Sequence, residues 1–258
     1  MIKRKLQYFY RIYEQIDREN TISIYEISQN TGISRNTVSK YLHLMYENQI
    51  LQGPYLRVNP AQNYSEYVYL MQFNNPYTAF QSLKGFPHVV YYALLFGKWN
   101  TIVITNRFLD LSQLVGVKDI VYQGKRGISL TQKANLISWV PGVYEAQQYL
   151  KNFEAGTPQR KKEVLPVLPW ESQEWKLFST FNHDIRKRKT PVLRKIDVRY
   201  EEYIQWKETL DQYCTSHTGF YPDGYKSYDH HCFLMSTDYK DKVKEFFSFF
   251  PTTSFFMD

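Results

Sequence analysis

SIYEISQNTGISRNTVSKYLHLMY, residues 23–46, decides how this chain is read. Ile24 and Ile27 fall at helical spacing through residue 30; Thr31-Gly32-Ile33-Ser34 then breaks the helix, with Gly32 able to take the positive φ that other residues avoid. Ser34 has the chemistry of an N-cap, a short side-chain oxygen that accepts from first-turn amides. The helix it opens carries Val38, Tyr41, Leu42 and Met45 on one face, and Arg35, Asn36, Ser39, Lys40 and His43 on the other. Upstream, residues 3–17 place Leu6, Phe9, Tyr10, Tyr13 and Ile16 on a third apolar helical face.

A turn of this kind between two short helices is the layout of a helix-turn-helix, whose second helix enters the major groove of double-stranded DNA. The alternative is an ordinary trihelical packing unit. On the DNA reading Ser34, Arg35, Asn36, Thr37, Ser39, Lys40 and His43 face the duplex. ILQGPYLRVN, 50–59, is expected to fold as two short strands around Gly53-Pro54, the wing of a winged helix, with Arg57 on the DNA backbone.

Composition agrees with a folded protein. Of 258 residues 43% are hydrophobic and 17% aromatic, with 23 Tyr and 17 Phe, which excludes disorder and leaves room for more than one domain. The longest apolar run, HVVYYALLF at 88–96, is strand length, so no membrane span is expected, and MIKRKLQYFY at the start is no cleavable signal. The only cysteines, Cys214 and Cys232, form no disulfide or metal framework; both are read as structural and the chain as cytoplasmic. The formal charge of +7 is regional: +3 over 1–60, +3 over 61–150, +6 over 151–200 and −5 over 201–258. Such a balance suits an anionic partner without naming one.

Beyond the wing, EYVYLMQF (66–73) reads as a strand, YTAFQSLKGF (77–86) as a helix, HVVYYALLF (88–96) and GKWNTIVIT (97–105) as a hairpin, DLSQL (110–114) as a short helix and DIVYQG (119–124) as a last strand. With the helix-turn-helix before it, this order resembles the Lrp/AsnC (feast/famine) transcriptional regulators over about residues 3–130. The resemblance implies an α+β chain, a winged helix-turn-helix followed by a ferredoxin-like βαββαβ sandwich that assembles homodimers and binds a small-molecule effector. Family members carry Gly-x-aromatic-Asp at the hairpin; Gly97-Lys98-Trp99-Asn100 stands here, so Gly97, Trp99 and Asn100 are the effector candidates, with Asn replacing Asp. As plain turn glycines, Gly97 and Gly116 need no ligand at all.

A shift of 164 positions aligns YSEYVYLMQF with YDHHCFLMST, Phe86-Pro87 with Phe250-Pro251 and Tyr91-Tyr92 with Phe255-Phe256. The chain is therefore expected to hold a divergent, partial second copy: 1–60 winged helix-turn-helix, 61–140 sandwich, 141–170 connection with a possible helix, 171–225 degenerate helix-turn-helix-like unit, and 226–258 partial second sandwich. In that copy Leu177, Phe178 and Phe181 take the part of Phe9, Tyr10 and Tyr13, and the recognition-like helix opens Tyr200-Glu201-Glu202, whose carboxylates phosphates would repel. His230-His231-Cys232 falls on the repeated strand, where neighbours face opposite sides, and is read as structural. The terminal strand, 250–257, lacks its hairpin mate and must pair with the first copy, another chain or residues beyond it. The run Arg160-Lys161-Lys162 belongs to the connecting segment, and Arg186-Lys187-Arg188-Lys189 reads as a solvated loop, with a phosphate-contacting patch as the alternative.

No nucleophile-base pair, phosphate-cradling glycine loop or paired-carboxylate motif stands out, and no catalytic residue, metal or cofactor is expected. Sequence-specific DNA binding by a homodimer is the leading reading. A second resemblance, to the sirohaem decarboxylases, implies tetrapyrrole chemistry on the same pair of domains; a third possibility is an architectural, partner-binding protein.

Overall fold

A computed structural model describes residues 2–131, 139–154, 164–250 and 254–256. In chain order these form α1 (Ile2–Arg18), α2 (Ile24–Thr31), α3 (Arg35–Glu47), β1 (Leu51–Val58), β2 (Glu66–Phe73), α4 (Pro76–Ser82), β3 (Val89–Leu94), β4 (Thr101–Thr105), β5 (Val117–Arg126) and β6 (Ser129–Thr131). Then follow α5 (Trp139–Lys151), α6 (Ser172–Phe181), α7 (Lys189–Ile196), α8 (Tyr200–Tyr213), β7 (Cys214–Phe220), α9 (Lys240–Ser248) and β8 (Ser254–Phe256). The chain divides into two compact units, one built mainly from Met1–Val58 and Trp170–Phe255, the other from Asn59–Ser129 with Glu163–Pro169.

The first unit contains two three-helix bundles, α1–α3 and α6–α8. In the first, Phe9, Ile12, Tyr13, Ile16, Ile27, Val38, Leu42 and Met45 are buried in one apolar cluster, which is the helical periodicity of the sequence turned inward. In the second, Leu177, Phe181, Leu193, Tyr203, Trp206 and Leu210 are buried, with the Phe181 and Tyr203 rings 5.2 Å apart. Each bundle is followed at once by a strand, and those strands, β1 and β7, pair antiparallel from Leu51↔Phe220 to Val58↔Cys214.

This pairing corrects the expected wing. Residues 50–59 are not a hairpin; β1 runs straight through a cis Gly53–Pro54 bond, and the strand beside it is β7, far along the chain. The register slips between Gln52 and Tyr55, where Pro54 can give no ladder hydrogen bond. Gly53 makes the slip possible: its φ is +83°, and a β-carbon there would lie 2.3 Å from the His217 carbonyl oxygen. Phe220 is fully buried inside the first bundle's core, stacked on Tyr13 at 5.0 Å and edge-on to Tyr10 at 5.7 Å. One repeat earlier stands Leu56, also buried, whose amide donates to the Asn182 carbonyl at the end of α6 at 2.7 Å.

The second unit is a four-stranded antiparallel sheet in the order β3-β4-β2-β5, the ferredoxin-like order expected for 66–124. Tyr69, Met71, Phe73 and Val103 on one face pack with Ala79 and Leu83 of α4, while Val68, Leu70, Ile102 and Ile104 form the opposite apolar face. The second helix of the pattern shrinks to a single 3-10 turn, Leu111–Gln113, whose Asp110 caps Ser112. The connecting segment is not a free linker here: Leu168 exchanges two 2.9 Å hydrogen bonds with the Asn63 side chain.

In the region expected to hold a partial second sandwich, α9 and β8 fall near where a shift of 164 residues would place α4 and β3. Yet residues 229–237 form no strand and lie mostly exposed, Phe233, Leu234 and Met235 among them. The expectation for the terminal strand is met in part: β8 pairs with β6 of the first copy, while residues 251–253 and 257–258 lie outside the described residues. Among the described residues no helix is long and apolar enough to cross a membrane.

Because Phe220 fills the first bundle from 164 residues beyond its counterpart Leu56, Phe220→Ala should unfold α1–α3 as well as the strand pair. A loss of about 3–5 kcal/mol in urea denaturation is expected. A loss below about 1 kcal/mol would show that β7 is not seated in that core.

Candidate nucleic-acid interface

The turn that orients α3 is built from several independent bonds. Ser23 and Glu26 close a reciprocal capping box at the start of α2. Gly32 ends that helix at φ 66°, its amide bonded to the Ser28 carbonyl, and the Arg11 guanidinium of α1 donates to the Thr31 carbonyl. Ser34 accepts from the Thr37 amide at 3.3 Å and meets the Thr37 hydroxyl at 2.9 Å, so the expected N-cap is formed. Ser34 and Thr37 are therefore partly committed to holding the helix.

Past that cap, Arg35, Asn36, Ser39, Lys40 and His43 are exposed along one side of α3, opposite buried Val38, Leu42 and Met45. Arg35 lies over the exposed Tyr25 ring of α2 at 5.9 Å, which holds its guanidinium near the helix start. The sequence offered no warning of Tyr25, since only the fold brings that ring beneath Arg35. His43 stands 3.9 Å from Glu47, both largely exposed, a weak pair that leaves the imidazole open to water. Among the described residues the Asn36, Ser39 and Lys40 side chains have no hydrogen-bond or ion-pair partner. An unpaired row of donors at the start of a capped helix is equipped to meet base edges and phosphates.

Arg57 does not join this row. It faces Thr215 across the strand pair, about 20 Å along β1 from the end nearest α3, and its charge acts on His183 after α6. The place beside the first bundle where the wing was expected is taken by the chain after β7: Tyr221 and Tyr225 donate their amides to the carbonyls of Ile50 and Gln49 at 2.7 and 2.9 Å.

On the second bundle the recognition-like helix has the opposite character. Glu201, Glu208 and Asp211 are exposed on α8, and Glu202 is held by Arg199, accepting its backbone amide at 2.9 Å and its guanidinium at 3.0 Å. Those bonds keep the Glu202 carboxyl below its ordinary range, so it remains an anion. His230, His231 and Cys232 are exposed rather than on a strand, with His230 stacked on Tyr225 at 4.2 Å, and among the described residues no three His, Cys, Asp or Glu side chains gather as a metal site. Cys214 is buried, its thiol pushed up to about 12 by desolvation, whereas Cys232 is exposed, and neither forms a disulfide.

The effector candidates in the sheet are separated by it. Gly97 and Asn100 border a shallow cleft of about 210 Å³ beside α4, whereas Trp99 packs on the opposite face with Ile102 and Leu70. The Asn100 side chain is already in use: Oδ1 accepts from the Phe73 amide at 2.9 Å and Nδ2 donates to the Phe73 carbonyl at 2.8 Å. Only an amide satisfies both groups, which gives a structural reason for Asn where the resembled family has Asp.

No family model matches the sequence, and no curated protein matches it. Solved structures similar to it include the leucine response regulatory protein of Mycobacterium tuberculosis, at 15% identity over 38% of this chain and 70% of that one, with a TM-score of 0.32. A transcriptional regulator of Neisseria meningitidis in complex with L-Met is 12% identical over 46% of this chain and 86% of its own, with a TM-score of 0.36. Escherichia coli AsnC is 13% identical over 51% of this chain and 94% of its own, with a TM-score of 0.35. Likeness this slight carries no weight for function, which has to come from the side chains themselves.

Asn100→Asp tests the clamp. At neutral pH it places a carboxylate 2.8 Å from a carbonyl oxygen and should cost about 1–3 kcal/mol in thermal or urea unfolding. Protonation restores a donor, so the deficit should shrink as pH falls through the carboxyl range of about 4.

Proposed function

We propose that this chain is a sequence-specific DNA-binding transcriptional regulator that reads the major groove with α3. The reading is carried by one observation: Arg35, Asn36, Ser39, Lys40 and His43 form an exposed polar row on the second helix of a capped helix-turn-helix, free of competing bonds except for the Tyr25 stack and the weak Glu47 pair. Asn36 and Arg35 have the fork geometry that pairs with adenine and guanine edges, Lys40 and Ser39 suit phosphate or base acceptors, and Ser34 and Thr37 set the angle of entry.

Each chain then has one reading head. The acidic face of α8 is repelled by phosphates, so recognition of a two-part site requires two chains. The αβ unit serves that assembly. Its cleft beside Gly97 suits only a small, mainly apolar effector, because the Asn100 amide is committed to Phe73.

Asn36→Ala and Lys40→Ala separate reading from attraction. Selection of bound sequences from random duplexes gives the preferred site, and gel shifts on that site and on a scrambled one follow. Asn36→Ala should cost about 1–3 kcal/mol on the preferred site and little on the scrambled one. Lys40→Ala should weaken both and lower the salt slope by about one. Equal affinity of the unaltered protein for both duplexes would reduce α3 to a non-specific contact.

A further inference from the structure

The loop between α6 and α7 gathers cations without matching anions. Arg186, Lys187, Arg188 and Lys189 are consecutive, the neutral imidazole of His183 stands just before them, and Asp184 is the only carboxylate in 183–189. One Asp184 oxygen already accepts the Arg186 amide at 2.9 Å. The cations do not simply extend into solvent: half-buried Lys187 donates its ammonium to the Thr180 carbonyl at 2.9 Å, and half-buried Arg186 donates to the Asn20 carbonyl in the α1–α2 turn at 3.1 Å. Carbonyls fix the positions of these groups and leave their charge in place.

A further cation arrives from another strand. The Leu56 amide bonds to the Asn182 carbonyl and so brings its neighbour Arg57 beside the loop. The crowding is felt: His183 is pulled below the ordinary histidine range by burial and by the charges of Arg57 and Lys187, and Lys189 is lowered by burial and by Lys207 and Arg186. The loop also borders the reading helix, since the charges of Arg186 and Asp184 reach the phenol of Tyr46 in the last turn of α3, which burial pushes up to about 12. Arg186, Lys187 and Lys189 are like charges held half-buried, which is unfavourable until an anion enters, so their arrangement is that of a receptor for one.

We propose that the α6–α7 loop is an anion site that takes a phosphate group, supplied by the backbone of the duplex held on α3. This rests on the DNA-reading role of α3 and extends it: the second bundle, whose acidic helix cannot enter a groove, grips the duplex by its loop instead. A free phosphate-bearing compound offers the same chemistry from another source.

Lys187→Gln with Lys189→Gln removes charge while keeping long polar side chains, and melting curves show whether the bundle is intact. The slope of log affinity against log salt should fall by about two, with equal weakening on the preferred and scrambled duplexes. Lys189→Gln alone, which breaks no hydrogen bond among the described residues, should lower it by about one and keeps the test decisive if the double variant melts early. An unchanged slope together with loss of inorganic phosphate binding in calorimetry would retain the anion site and assign it a free phosphate compound. Unchanged slope and unchanged phosphate binding would overturn the proposal. Should the unaltered protein bind no duplex, the role of α3 falls, and the phosphate titration alone decides the site.

Discussion

The antiparallel pairing of β1 with β7 is the constraint on which the first unit depends. A two-stranded ribbon is barely stable in water by itself, and here it survives because each strand is also part of a helical bundle. Phe220 completes the core around Tyr13, Leu56 is bonded to the end of α6, and Gly53 lets the two backbones approach where a β-carbon would collide with His217. The first bundle does not close its core from its own residues alone.

That ribbon makes the two bundles geometric counterparts while leaving their chemistry independent. α3 begins with a serine cap and an exposed cationic row, whereas α8 begins with an Arg199–Glu202 box and exposed carboxylates. The buried faces keep the same helical spacing because packing demands it, and the outer faces diverge because nothing in the core restrains them. In the second bundle the positive charge lies in the loop between α6 and α7 rather than on α8.

What could be read from sequence follows the range of the interactions involved. The turn at Gly32, the cap at Ser34 and the exposed row on α3 are set by neighbours within a few residues, and all were legible. The sheet from 66 to 126 was legible in order because its strands alternate and its connections are short. The partner of β1 was hidden, since Gly53-Pro54 signals a turn and the true neighbour lies far along the chain. The strand expected at 229–237 is absent although Phe233, Leu234 and Met235 stand in it, because a repeated sequence pattern carries position along the chain but not the neighbouring strands a sheet needs. Asn100 was noticed for its departure from a motif; the reason, two bonds to one backbone residue, exists only in three dimensions.

The seating of Phe220 against Tyr13 has a consequence for how the chain is made. Synthesis adds about 5–20 residues per second, so roughly ten to thirty seconds separate the emergence of β1 from that of β7. During that interval the slot beside Tyr13 stays open and apolar on a nascent bundle that already has its three helices. Two chains growing side by side present each other with the same vacant slot and the same late strand, which makes strand exchange between neighbours the characteristic misassembly of this architecture.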